Sequence, residues 1–216
     1  MIAPPRWAFW ALALILTLAL AAPVAAAAPP MERDHITYDA KRKRQMAAYS
    51  KRHYGSREWR LANPDVIVLH FTASGSYSSA WHTFESNAPN VGERPGVCAH
   101  YVVKQSGAIA ELVRPTIRCR HTIGLNHRSI GIEMVQETGR GSHWACRQIL
   151  ARKKQARAAV RLVRWLQRRY GIATRDVIGH AMANDHRFFK DLAGWRNDHS
   201  DWGRRDVREF RKRLAH

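Results

Sequence analysis

Apolar residues fall along this chain in blocks whose spacing implies particular elements. Asn63-Pro64 breaks the chain, and after Asp65 comes VIVLHF, a β-branched and almost wholly apolar run suited to a buried strand. Residues 74–95 are rich in Ser, Asn, Gly and Pro around a short WHTFES piece, which predicts a loop holding at most a short helix. Two strand-like runs, 97–104 and 108–113, are joined by Gln105-Ser106-Gly107 and predict a hairpin. A further strand is expected over 129–135, after the turn-like GLNHR stretch. From Arg147 to Tyr170, Ile149, Leu150, Ala156, Val160, Val163, Leu166 and Tyr170 recur mostly at steps of three and four, and Gly171 stands where a C-cap belongs. This predicts one long amphipathic helix. A short strand at 176–180, a loop and a helix from about Arg204 to Leu214 complete the chain. Such alternation, with no internal repeat, implies an α/β fold: a single mixed β-sheet flanked by helices.

The two ends of the N-terminal region differ from the rest. Residues 1–30 hold one charge, Arg6, ahead of an apolar run that closes in PVAAAAPP, the form of an export signal with small residues suiting cleavage near Ala26 to Ala28. An uncleaved anchor is the rival reading, since about 20 apolar residues can span a bilayer. Residues 31–61 are charged and helix-friendly, with Ala47, Ala48, Tyr49, Tyr54, Trp59 and Leu61 as apolar anchors. The expected organisation is therefore a signal at 1–28, a basic helical lead-in at 29–64 and one catalytic domain at 65–216. Without the signal about 185 residues remain, enough for one real core.

Charge and cysteines change the picture only in part. With 36 Lys and Arg against 17 Asp and Glu, the formal net charge is +19. Inside a cell that charge would suggest nucleic acid, but there is no interleaved aromatic platform and export removes that partner. Anionic wall polymers or lipid head groups are the polyanions met outside, and a generally solvated basic surface is the equal alternative. Cys98, Cys119 and Cys146 permit at most one internal disulfide in an oxidising compartment. Cys119 with Cys146 is the expected pair, because Cys98 sits in an apolar strand-like run where a buried thiol is commoner. No CxxC spacing points to a cysteine-based metal site.

Candidate chemistry begins with two histidines, each closing a short apolar strand: His70 after VIVL and His180 after DVIG. A side chain there projects from a sheet rim on rigid backbone, which suits a metal ligand. Catalytic zinc takes three protein ligands plus a water, often two nitrogens and one carboxylate. Asp198 and Asp201, in NDHSDW, are the nearest carboxylates after His180. A lone strand-end histidine is more commonly a hydrogen-bonded core or rim residue, and spacing alone does not unite the three.

Four blocks in order, IVLHFTASGS, VCAHYVVKQSGAIAELV, CRHTIGLNHRSIGIEMV and VIGHAMAN with NDHSDW, resemble the zinc amidase family that cleaves N-acetylmuramoyl-L-alanine, whose fold phage lysozyme-like amidases and peptidoglycan recognition proteins share. The resemblance runs from about Asp65 to Trp202. It implies a peptidoglycan hydrolase acting on muramyl-peptides by zinc-activated water, and with the export signal the expectation is a secreted or cell-envelope enzyme working as a monomer. It implies His70 and His180 as zinc ligands, and Asp201, in His199-Ser200-Asp201, as the third, with Asp198 as runner-up. Family members place the third ligand much nearer the second histidine, whereas here the gap is 201 − 180 = 21 residues, so the stretch DHRFFKDLAGWRN is expected to loop out.

Some members use a tyrosine before the histidine of the second strand as general base, and others a glutamate in the SIGIE strand. Ala99 precedes His100 here, and Glu133 is present, so Glu133 takes the role by resemblance; unaided, a carboxylate in an apolar strand needs a partner or a task. His199 stands where many relatives have an oxyanion-stabilising lysine, and as an imidazolium it would do that work or protonate the leaving amine. His121 matches a histidine lining the substrate groove, with Asn126 and Arg128 on the adjoining loop; ordinary turn polarity explains these three equally well. A non-catalytic peptidoglycan-binding module is the alternative if a zinc ligand is missing.

Overall fold

The computed structural model describes Met1 and residues 27–215. The export signal expected at 1–28 falls, but for its ends, outside the described residues. Among those described, no helix is long and apolar enough to cross a membrane.

Six strands form one sheet: β1 (Glu32–Arg33), β2 (Val66–Phe71), β3 (Tyr101–Val103), β4 (Ile109–Glu111), β5 (Ser129–Met134) and β6 (Val177–Gly179), in the order β1-β4-β3-β5-β2-β6. Only β3 and β4, the expected hairpin, pair antiparallel. Among the described residues five α-helices surround it: α1 (Ala40–Tyr54), α2 (Tyr77–Glu85), α3 (Ser142–Ala151), α4 (Lys153–Tyr170) and α5 (Arg204–Lys212). The sheet is mixed and flanked by helices, as the blocks predicted.

Alternation along the strands divides the core. Ile67 and Leu69 of β2, with Ile130, Ile132 and Met134 of β5, face α3, α4 and α5 through Ile149, Leu162 and Phe210. On the other face Val66 and Val68 meet Leu125 and Ile178, while Val102 and Ala110 meet Ala80 and Phe84 of α2. The register sets Val68 opposite Gly131 and His70 opposite Glu133. In parallel pairing such partners point the same way, so His70 and Glu133 project on the face away from α3 and α4.

Several expectations change. The helix foreseen over 147–170 is two helices, broken at Arg152, whose φ of −74° and ψ of 92° are extended. Beyond the break, buried Gln155 bonds the carbonyls of Val103 (3.1 Å) and Val135 (3.0 Å), tying α4 to the ends of β3 and β5. Ile149 and Ala156, seven residues apart on either side of the break, stay in helical phase, so the pattern reads as one helix. The run 97–100 lies outside the ladder, and Cys98 N–H instead bonds the carbonyl of Arg120 at 3.0 Å. That pairing corrects the disulfide: Cys98 joins Cys119, with Cα atoms 5.4 Å apart, and Cys146 is a free buried thiol. Cys98 and Cys119 share the cluster under α2, whereas Cys146 belongs to the opposite face under α4, with the sheet between.

The basic lead-in is built into the fold. β1 extends the sheet beside β4, and α1 buries Met46 and Tyr49 completely. Asp39 caps α1 by accepting from Arg42 N–H at 2.8 Å.

Candidate functional site

The site lies where β2, β5 and β6 end, the position at which open α/β sheets usually bind ligands. His70 is the fifth residue of β2, and His180 follows β6 directly. Their Nδ1 atoms are 3.0 Å apart. The Asp201 carboxylate comes within 3.4 Å of His70 Nδ1 and 3.2 Å of His180 Nδ1, and all three residues are buried.

Backbone packing closes the long gap to Asp201. A Cβ on Gly179 would stand 1.7 Å from the carbonyl oxygen of Trp202, so only glycine lets the two segments approach. Ala181 N–H then bonds the carbonyl of Asp201 at 2.9 Å. Trp202, fully buried edge-on to Phe210, donates its indole N–H to the carbonyl of His70 at 3.2 Å. Asn197 donates to the carbonyl of His180 at 3.0 Å. The inserted stretch loops out as expected but is tied down: Lys190 N–H bonds Gly124 O (3.0 Å), and Leu192 N–H bonds His53 O (2.8 Å). Asp191 meets His53 Nδ1 at 2.8 Å, while His53 Nε2 meets Glu93 at 3.0 Å. The insertion thus rests on α1.

The donor set suits a divalent cation. Burial, with His180 beside it, holds His70 down at about 4, so its imidazole is neutral near pH 7. Burial pushes the Asp201 carboxyl up, but His180 and His70 outweigh it and hold the group well below the usual carboxylate range. Two imidazole nitrogens and an ionised carboxylate, converging within 4.8 Å of one another, form a zinc-type set.

The remote nitrogen of His70 is also engaged. His70 Nε2 lies 3.1 Å from His121 Nδ1, and His121 Nε2 faces the carbonyl of Ser129 at 3.4 Å. If His70 offers the Nδ1 lone pair to a cation, its proton sits on Nε2 and donates to His121, whose own proton then points at Ser129. Gly131 seats this ring, because a Cβ there would fall 2.7 Å from His121 Cγ.

Glu133 shares the cavity with the triad. Its Oε2 is shut off from solvent without a hydrogen-bond partner, and burial, then Asp201, raises the carboxyl well above its ordinary range. His199 is exposed and stacks on His180 at 4.2 Å. Partial burial and His180 lower its proton affinity against the pull of Asp201. Asp198 lines the cavity but does not join the triad.

The adjoining loop residues separate. His121 reaches the site. Asn126 is fully buried: its Oδ1 accepts from the N–H groups of His121 (2.8 Å) and Thr122 (2.7 Å), and its Nδ2 donates to Tyr54 at 3.1 Å, so it shapes the loop. Arg128 stays away from the site, at the opposite end of β5, paired with Asp65 and lying over the Phe188 ring; this corrects its assignment to substrate binding. Sequence reasoning overlooked Thr122, whose hydroxyl stands 2.8 Å from His121 Nδ1, and Trp202. The cavity, about 510 Å³, is walled by Phe84, Val91 and Val97 and by Thr138, Ser142 and Ser200.

Comparison with known proteins adds the following. Residues 60–204 match the family model described as N-acetylmuramoyl-L-alanine amidase. The catalytic domain of XlyA aligns with a TM-score of 0.54 at 15% identity, covering 86% of this chain and 99% of that one. A mutant endolysin from Bacillus subtilis aligns at 0.53 and 14%, covering 86% and 98%. At these identities the two structures speak to the fold. No curated protein sequence matches the chain.

Proposed function

The chain belongs to the N-acetylmuramoyl-L-alanine amidase family and is a peptidoglycan hydrolase of that activity, and from this premise we propose that it works outside the cytoplasm with one zinc ion, using His70, His180 and Asp201 as ligands and Glu133 as general base. The observation that carries the reading is the approach of the two Nδ1 atoms to 3.0 Å, with the Asp201 carboxylate beside both. Bound zinc would supply Lewis acidity toward a water and a carbonyl. Glu133, with its unpartnered oxygen and raised proton affinity, takes the proton of the attacking water and passes it to the departing alanine nitrogen. His199, as an N–H donor at the cavity rim, hydrogen-bonds the oxyanion that forms at the lactyl carbon. Asn126 and Thr122 keep the His121 loop against His70.

Export through residues 1–28 belongs to the same proposal. The Cys98–Cys119 disulfide supports it, since such bonds persist in oxidising compartments. Edman sequencing of the protein recovered from outside the cytoplasm should begin near Ala28 or Pro29; an intracellular full-length chain would refute export.

Glu133→Gln tests the base. The variant should keep stoichiometric zinc while the rate on a soluble muramyl-peptide falls by about 10²–10⁴. A variant with near wild-type turnover removes Glu133 from the mechanism. A wild-type protein that binds peptidoglycan yet releases no stem peptide leaves the recognition-module reading.

A further inference from the structure

The long helix α4 carries a feature that neither zinc chemistry nor the groove uses. Lys153, Arg157, Arg161, Arg164 and Arg168 follow one another at steps of four, four, three and four. At 3.6 residues per turn these positions fall within an arc of about 80°, spread along about 22 Å of helix. Lys153, Arg157, Arg161 and Arg168 are exposed, and Arg164 is half-buried.

The row also lacks acidic compensation, as do Lys41, Lys43, Arg44 and Lys51 of α1, which form no such unbroken row. From Ser142 to Tyr170 the chain has no Asp or Glu. Among the described residues, no α4 cation makes an ion pair, whereas Arg52, Arg128, Arg187 and Arg204 elsewhere each meet a carboxylate. Like charges three and four residues apart repel and weaken a helix. A helix that keeps four such neighbours in succession with no acid beside them is charged against its own stability. Arg164 donates to the carbonyls of Arg213 (3.0 Å) and Leu214 (3.2 Å), which fixes the chain after α5 beside the row. There a shallow depression is lined by Arg164, Gln167, Arg168, Leu214 and Ala215.

We propose that this face of α4 is a docking track for a linear phosphodiester polymer of the cell envelope. The row is one helix wide with a charge about every 5–6 Å along the axis, which matches an extended chain bearing one negative charge per short repeat. A bilayer would need apolar anchors as well, and the large exposed hydrophobics among the described residues, Met1, Val91 and Leu192, all lie off α4. α4 covers the sheet face opposite to the one from which His70 and Glu133 project, so a polymer held there leaves the groove open and raises the local concentration of enzyme at its substrate. The proposal rests on the extracytoplasmic location proposed above and is independent of the metal and of the reaction.

The test measures binding of the full chain to poly(glycerol phosphate) across salt concentrations. Five contacts imply a log–log slope of about −3.5, or about a hundredfold loss between 50 and 200 mM salt. Triple replacement Arg157→Glu, Arg161→Glu and Arg168→Glu should weaken binding at least tenfold and flatten the slope, with hydrolysis of a soluble muramyl-peptide unchanged; the matching glutamine triple should fall between. Equal binding by wild type and the glutamate triple overturns the proposal, as does tighter wild-type binding to phosphatidylglycerol vesicles or oligothymidylate at equal phosphate concentration.

Discussion

Replacing Gly131 with alanine should loosen the proposed zinc site without touching a ligand. Gly131 has ordinary strand geometry, so space alone decides the outcome. An added Cβ would stand 2.7 Å from His121 Cγ and 2.8 Å from its Nδ1, closer than side chains tolerate. The strand cannot yield, because Gly131 N–H donates to His100 Nδ1 at 2.9 Å and its carbonyl accepts from His100 N–H at 3.1 Å. The His121 ring must therefore move, opening its 3.1 Å contact with His70 Nε2. Overpacking of this kind costs about 1–3 kcal/mol of stability. Loss of the outer partner of a metal-ligating histidine costs about 10–100-fold in affinity, or about 1.4–2.7 kcal/mol. Competition of zinc against a chelator measures the second effect, and denaturant unfolding of the metal-free protein the first. His121→Gln should reproduce the affinity loss without the crowding. A folded Gly131→Ala protein with wild-type zinc affinity would refute the idea that His121 orients His70.

Three further outcomes follow from buried groups. His100 is fully buried, with Nδ1 accepting from Gly131 and Nε2 donating to Ile117 O at 2.9 Å, and burial holds it down at about 4 against an ordinary 6.5. The unfolded chain therefore takes up this proton first as pH falls, so the stabilisation is complete above about 6.5 and drains away toward 4; His100 alone should account for about 3 kcal/mol of the loss in denaturant melts of metal-free protein, and a flat profile over that window would contradict it. Reducing Cys98–Cys119, which closes a loop of sequence separation 21, should cost about 3 kcal/mol, read as a lower melting temperature with reductant; no shift would mean the bond constrains nothing. Asp191→Ala leaves buried His53 without one of its two carboxylates and should destabilise by about 3–5 kcal/mol, with faster proteolysis of α1; wild-type stability would show that the insertion is not pinned there.

How far the sequence foretold this molecule depends on the kind of signal. VIVLHF and SIGIEM are nearly unbroken apolar runs, so β2 and β5 were legible, and with them the strand-end positions of His70 and Glu133. His180 was legible for the same reason at the end of β6. Asp201 was separable from Asp198 only by resemblance, because what brings it in is the contact of Gly179 with the Trp202 backbone, a tertiary event. The break at Arg152 stayed hidden because Ile149 and Ala156, seven residues apart across it, remain in helical phase. The disulfide was misjudged because apolar character at Cys98 says nothing of which sheet face it occupies. Arg128 was misplaced because a loop residue next to the site in sequence starts a strand whose other end forms the site. His53 carried no local signal at all, since its partners Glu93 and Asp191 lie on two distant loops.

Mass analysis of a defined disaccharide-peptide fragment, incubated with zinc-loaded wild type and with His180→Ala, addresses the central claim most directly. The wild type should add one water across the bond between muramic acid and L-alanine, releasing an intact stem peptide with a free alanine amine, and the variant should bind zinc poorly and release none. Absence of that peptide from the wild-type reaction, or equal release by both proteins, would contradict a zinc amidase built on His70, His180 and Asp201.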